Sequence, residues 1–308
     1  MAKWTLDDVP DLSGRVMVVT GANSGLGLEA TKALASKGAA VVMACRSPER
    51  AQVAVESVRA AVPHATLDVL PLDLGSLGSI ARFADELRAR HPKVDVLMNN
   101  AGVMALPRTL TKDGFEAQLG TNHLGHFALT LRVLPLLEAA PSPRVVVVAS
   151  TAHKWGRIDF DDLMGERRYS AWGAYGQSKL ANLLFAYELE RRLRASGKKA
   201  LSVAAHPGYS ATNLQGVGPR MTGSRFSGWI MRVGNALLGM PASQGALPQV
   251  RAATDPAVKG GEYYGPDGLG ELHGYPVKVD SNAASKDQAA AARLWEASEK
   301  LTGLTWPG

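Results

Sequence analysis

Residues 15–20, Arg-Val-Met-Val-Val-Thr, form a short β-branched run that feeds directly into Gly21-Ala-Asn-Ser-Gly-Leu-Gly27. Past the glycines the apolar spacing turns helical, through Leu28, Ala30 and Leu34. A strand that turns on glycines straight into a helix needs a parallel neighbour and a helical cover, which narrows the fold to the α/β class. Gly21, Gly25 and Gly27 permit a tight turn and close backbone approach, and the free amides at the helix start can face an anion. Strand, glycine turn and helix together make a setting for a dinucleotide pyrophosphate. The spacing is G-x-x-x-G-x-G rather than G-x-G-x-x-G, and a glycine-rich turn without a ligand is the plainer alternative.

Strand-like and helix-like patterns alternate along most of the chain, which predicts a parallel sheet with helices on both faces. Strands are expected at 15–20, 40–45, 66–71, 94–99, 144–149 and 201–205, and helices at 48–61, 76–90, 114–137 and 174–195. Val145-Val-Val-Val148 reads as a central strand buried on both faces. No repeat or linker divides the 308 residues, so one domain is expected. Two stretches break the rhythm. Residues 153–172 are an insertion of mixed charge and aromatics. Residues 212–240 carry six glycines among apolar side chains such as Phe226, Trp229, Ile230 and Met231. The second stretch reads as a lid over a lipophilic pocket, with a packed surface helix or a membrane-touching segment as alternatives.

Composition excludes several functions. No apolar run approaches the ~20 residues of a membrane span. The opening, MAKWTLDDVPDLSG, has no secretory pattern, and Cys45 is the only cysteine; both fit a cytoplasmic setting. Net charge is +6, but the basic residues are scattered without interleaved aromatics, so nucleic acid is not an expected partner. No HExxH motif or cysteine pair marks a metal, and no G-x-S-x-G elbow marks a serine hydrolase.

Chemistry enters at Tyr175-Gly-Gln-Ser-Lys179. Side chains four apart share a helix face, so an ammonium can sit by a phenol. A free phenol has a pKa of roughly 10, and acid/base work near neutrality requires that value lowered.

The glycine run, Asn99-Asn-Ala-Gly102, a serine (Ser150) ending a buried strand, and Tyr175-x-x-x-Lys179 occur in this order. Together they resemble the short-chain dehydrogenase/reductase family over residues 14–268. The likeness is strongest to its retinol-dehydrogenase-like reductases, through Ala44-Cys-Arg46, Thr121-Asn-His-Leu-Gly-His-Phe127, Ser150-Thr-Ala-His153, Tyr263-Tyr-Gly-Pro266 and the long gap between Ser150 and Tyr175. The resemblance implies a Rossmann-type doubly wound parallel sheet. It gives Tyr175 the acid/base role, with Lys179 lowering its pKa and holding the nicotinamide ribose. Ser150 would donate to the reacting oxygen, and Asn122 would anchor a proton-relay water. Taken singly, Ser150 could be only a strand-end cap and Asn122 a polar kink in a helix.

Implied cofactor contacts are Gly21, Asn23, Ser24, Gly25, Leu26 and Gly27 at the glycine turn, Asp73 and Leu74 near adenine, and Asn100, Ala101 and Gly102 along the adenosine. Pro207, Gly208 and Thr212, in His-Pro-Gly-Tyr-Ser-Ala-Thr, would fix the nicotinamide carboxamide; a simple turn is the alternative there. An NAD enzyme wants a carboxylate where Cys45 stands, whereas the next residue, Arg46, can pair with a 2′-phosphate. NADP(H) is therefore the expected cofactor. A small lipophilic alcohol or carbonyl is the expected substrate, and relatives commonly form homodimers. The competing functions are a non-catalytic NADP(H) sensor or scaffold and a double-bond reductase of protochlorophyllide-reductase type.

Overall fold

The computed structural model describes residues 3–209 and 240–307. Thr212 and nearly all of the expected lid lie outside the described residues. At the edges of that interval, the Met240 amide donates to Tyr209 O at 3.0 Å.

Eight strands form one sheet: β1 (Val16–Thr20), β2 (Ala40–Cys45), β3 (Leu67–Pro71), β4 (Val96–Asn99), β5 (Arg144–Val148), β6 (Leu201–Ala205), β7 (Tyr263–Pro266) and β8 (Pro276–Val279). Their order is β3-β2-β1-β4-β5-β6-β7-β8, parallel except for β8. The order reverses between β1 and β4, where Val18 pairs Leu97 and Val19 pairs Met98. Helices leave β1 and β4 in opposite directions there, which opens a crevice at the carboxyl ends of the strands. β5 is buried along its whole length, as its valine run predicts.

Helices α1 (Gly25–Ser36) and α2 (Pro48–Ala61) cover one face of the sheet, and α3 (Leu77–Arg90), α4 (Gly125–Glu138) and α5 (Ala171–Ala195) the other. α6 (Leu247–Thr254) joins the first face and α7 (Gln288–Thr302) packs across α4 and α5. Ser47, Ser76 and Ser170 each accept an amide hydrogen bond from the third residue beyond, and these caps set the starts of α2, α3 and α5. α5 begins three residues earlier than the apolar spacing predicts because Ser170 caps it.

The helix expected at 114–137 differs. Gly114 has φ +84°, and Glu116 is extended, its carboxylate accepting from the amides of Gln118 and Leu119. A single helical turn, Ala117–Leu119, passes into a π-helical turn, Gly120–Leu124, before α4. A Cβ on Gly125 would lie 2.4 Å from Leu74 O, so glycine admits the chain crossing at that point. The 153–172 insertion is ordered: Ile158, Phe160, Leu163 and Met164 pack on Leu180 and Leu184 of α5.

Trp295 of α7 is buried against Phe127, Phe185 and Trp306, with ring centroids at 5.0, 5.9 and 5.6 Å. Among the described residues, no helix is long and apolar enough to cross a membrane. Truncating Trp295 to alanine removes the main apolar anchor of α7 and should cost about 3–5 kcal/mol of stability, measured by urea unfolding.

Candidate active site

The site begins where β1 and β4 part. Thr20 Oγ1 accepts from the amides of Asn100 and Ala101, each at 2.9 Å, and Asn100 Nδ2 donates to Thr20 O at 2.7 Å. A Cβ on Gly27 would sit 2.4 Å from Gly21 O and 2.6 Å from Asn100 Nδ2, so α1 can start this close only on a glycine. Gly21 and Gly25 take φ of +68° and +53°, left-handed values that side chains resist. Ser24 is the N-cap of α1, yet unlike the three capping serines its hydroxyl bonds no amide of its own helix. The first amides of α1 stay available to an external anion.

Cys45 ends β2 beneath this turn, its sulfur facing the amides of Ala22 and Asn23. Burial pushes its thiol up to about 12, so it is a neutral filler rather than a nucleophile. Arg46 beside it is exposed. The expected adenosine residues diverge. Asp73 spends its carboxylate on the Gly75 amide at 3.1 Å and on Lys112 Nζ at 3.3 Å, while the Leu74 side chain lies in the core with Phe83 and Phe127.

At the other end of the crevice, Ser150 follows β5 and accepts from the Ala152 amide at 3.2 Å. Ser150 and the Tyr175 phenol share the cleft wall, close enough for the hydroxyl to favour the ionised phenol. One helical turn on, Lys179 Nζ donates to Val148 O at 3.1 Å and stands 5.8 Å from the centre of the Tyr175 ring. The expected depression of Tyr175 by Lys179 is not what these residues produce alone. Burial raises the phenol, opposed only by the Ser150 hydroxyl, and burial brings the Lys179 ammonium down to about 8. Desolvation outweighs a charge held by a carbonyl rather than by the phenol oxygen.

Asn122 sits at an irregular turn within a helix, as its kink reading expects. It lies within the π-helical turn, and its side chain faces the site: Oδ1 accepts from the Val103 amide at 2.8 Å, and Nδ2 donates to Val103 O and Ser178 Oγ, each at 2.9 Å. A Cβ on Gly102 would fall 3.2 Å from Asn122 Oδ1 and 3.5 Å from Lys179 Nζ, so that glycine keeps the gap between them open.

His126 joins the site without having been singled out from the sequence. Its Nδ1 is 3.0 Å from Asn122 O and its Nε2 2.9 Å from Thr20 Oγ1. Burial pulls its pKa down to about 4, so the ring is neutral and can donate from Nδ1 while accepting at Nε2. One imidazole thereby ties the π-helical turn to the end of β1. The i, i+4 spacing of Asn122 and His126 was the available signal.

Leu26, Asn100, Gly102, Ser150, Tyr175, Lys179, Pro207 and Gly208 line one cleft of about 960 Å³, open mouth included. Gly21, Asn23, Ser24, Gly25, Gly27 and Arg46 are not on its lining. Residues missed in the sequence complete the wall: Val103, Met104, Trp155, Trp172 and Tyr209. Trp172 precedes Tyr175 by three residues on the same helix, and their rings meet edge to face at 6.1 Å.

The short chain dehydrogenase family model matches residues 15–219. The chain is 38% identical to retinol dehydrogenase 13 of Homo sapiens, over 96% of this chain and 87% of that protein. It is 39% identical to polyprenol dehydrogenase of Mus musculus, over 96% and 86%. A crystal structure of an uncharacterized protein from Mycobacterium paratuberculosis is 42% identical, covers 100% of both chains and gives a TM-score of 0.83. The Pseudomonas aeruginosa RhlG/NADP active-site complex shares the fold, with 22% identity over 82% of this chain and 94% of that one, and a TM-score of 0.64. Sharing more than a third of its residues with retinol dehydrogenases along nearly its whole length, the chain belongs to the short-chain dehydrogenase/reductase family, in its retinol-dehydrogenase-like subgroup.

Proposed function

We propose that this oxidoreductase uses NADP(H) to interconvert a carbonyl and an alcohol on a lipophilic substrate. The observation that carries the reading is the convergence of Ser150, Tyr175 and Lys179 on one cleft that Met104, Trp155 and Trp172 also wall. The residues present fit a dinucleotide. The uncapped start of α1 suits a pyrophosphate, and Cys45 with Arg46 offers a 2′-phosphate a guanidinium and no carboxylate. The RhlG neighbour holds NADP, and the curated relatives are named for retinol and polyprenol, both lipophilic alcohols.

The bound nicotinamide supplies or accepts hydride. In reduction, the Tyr175 phenol gives its proton to the carbonyl oxygen while Ser150 donates a hydrogen bond to that oxygen as charge develops. Lys179 stabilises the resulting phenolate, and Asn122 stands where a water could pass protons toward solvent. In oxidation the same groups run in reverse. The two tryptophans give the substrate a flat apolar wall and exclude water from the reacting atoms.

Tyr175→Phe should lower NADPH-dependent reduction of all-trans-retinal or decanal by about 10²–10⁴-fold while leaving NADPH binding intact. Retained turnover would remove the acid/base assignment, and binding without turnover in the wild type would favour a sensor. Arg46→Ala should weaken NADPH about tenfold and leave NADH nearly unchanged, read by nicotinamide fluorescence.

Lys179→Met should abolish activity yet raise the melting temperature at pH 7, because Val148 O keeps the Asn182 Nδ2 donor at 3.1 Å. The pKa of Lys179 falls from 10.5 to about 8 on folding, so the burial cost is full below pH 8 and fades as pH rises toward 10.5. The gap between variant and wild type should therefore narrow across that range in thermal scans.

A further inference from the structure

Glu271 occupies a conformation that its sequence surroundings could have avoided. It sits in the turn joining β7 to β8 with φ +60°, a left-handed value uncommon for a side-chain-bearing residue. Glycine stands close by at 268, 270 and 274, yet not here. Each of its carboxylate oxygens has a nitrogen close by. Oε2 is 3.0 Å from His206 Nε2, and Oε1 is 3.3 Å from Lys154 Nζ.

These partners belong to opposite sides of the cleft. Lys154 lies in the turn that starts at Ser150. His206 is fully buried, directly precedes Pro207, and accepts from the Gly208 amide at Nδ1, 3.2 Å away. With Nδ1 accepting, the ring proton resides on Nε2, the nitrogen 3.0 Å from the carboxylate. The imidazole has little freedom: a Cβ on Gly265 would lie 2.0 Å from Nε2, and the Tyr263 ring is 5.1 Å away. The same hairpin turn backs the 207–209 segment directly. The Tyr209 amide donates to Leu272 O at 2.8 Å, and a Cβ on Gly208 would be 2.6 Å from that oxygen.

We propose that Glu271 is a positioning residue: through His206 it holds the turn formed by Pro207, Gly208 and Tyr209 in the shape that seats the nicotinamide end of the cofactor. This rests on the NADP(H) reading above. Glu271 touches neither cofactor nor substrate, and its effect passes through the imidazole to the Gly208 amide.

Two variants separate this role from general scaffolding. Glu271→Gly keeps a backbone suited to φ +60° and removes the carboxylate; Glu271→Gln keeps an acceptor for His206 Nε2–H. NADPH binding, binding of adenosine 2′,5′-bisphosphate (the adenosine half alone), carbonyl-reduction kinetics and melting temperature are measured for each. In Glu271→Gly, NADPH affinity and kcat should fall about tenfold, the size of one hydrogen bond to a charged group. Adenosine 2′,5′-bisphosphate affinity should hold, and Glu271→Gln should bind NADPH as the wild type does. The proposal is overturned by unchanged NADPH affinity and kcat in Glu271→Gly, by equal loss of both ligands, or by Glu271→Gln matching Glu271→Gly. A wild-type protein that binds no NADPH would overturn the functional reading and this inference with it. A wild type that binds NADPH beside an unaffected Glu271→Gly would overturn this inference alone.

Discussion

The site depends on the hydrogen-bonded join between Thr20 and Asn100 at the reversal of strand order. Thr20 closes β1 and Asn100 follows β4, and three hydrogen bonds join them just where their helices diverge. Gly27 must then enter its helix against the same atoms, which leaves no room for a Cβ. His126 reaches this join from α4 and carries it to Asn122 and the π-helical turn. The two ends of the cleft, 130 residues apart in the chain between Thr20 and Ser150, are thereby registered by a handful of polar contacts rather than by packing alone. Such a buried polar network is costly to break in part, because each group left behind is desolvated.

Electrostatically the site runs against stability. Lys179 is buried with its charge weakened, Tyr175 is held above its usual range, and His126 is kept neutral. At neutral pH only the Lys179 charge costs folding free energy, which the apolar cores on both sheet faces must offset. Tyr175 leaves the unliganded site as an ordinary, protonated acid, suited to giving a proton. Lowering it further requires the ammonium to be brought to bear on the phenol, which the bond from Lys179 to Val148 O does not do.

The C-terminal region contributes more than the motifs foretold. α7 covers α4 and α5 with Trp295, and its Ser298 Oγ lies 2.8 Å from His123 Nε2 inside the π-helical turn that carries Asn122. Helices α4 and α5 thus carry this chain's last helix across them. The β7–β8 turn likewise brings Glu271 and Leu272 against the 207–209 segment.

Much of the architecture was legible because it is written in local chemistry. Glycines at the first turn, serines at helix starts and valines in β5 act over a few residues, and β1 to β6 lie within two residues of where periodicity puts them, whereas β7 and β8 were not expected. Tyr175 and Lys179 share a face by helical spacing, and motif order brought Ser150 and Asn122 to them. Periodicity could not reveal that 114–137 breaks at Gly114 and winds into a π-helical turn, because the break answers a chain crossing at Leu74 rather than anything nearby. Nor could it show that Asp73 is occupied by Gly75 and Lys112, that Leu74 faces the core, or that Trp155 and Tyr209 share a wall with Tyr175. The sequence by itself determined the succession of β1 to β6 and the helix face that Tyr175 and Lys179 share, since both follow from short-range spacing. Only the tertiary structure decided what surrounds those side chains and how far burial shifts their proton affinities, since desolvation is a property of packing between distant segments.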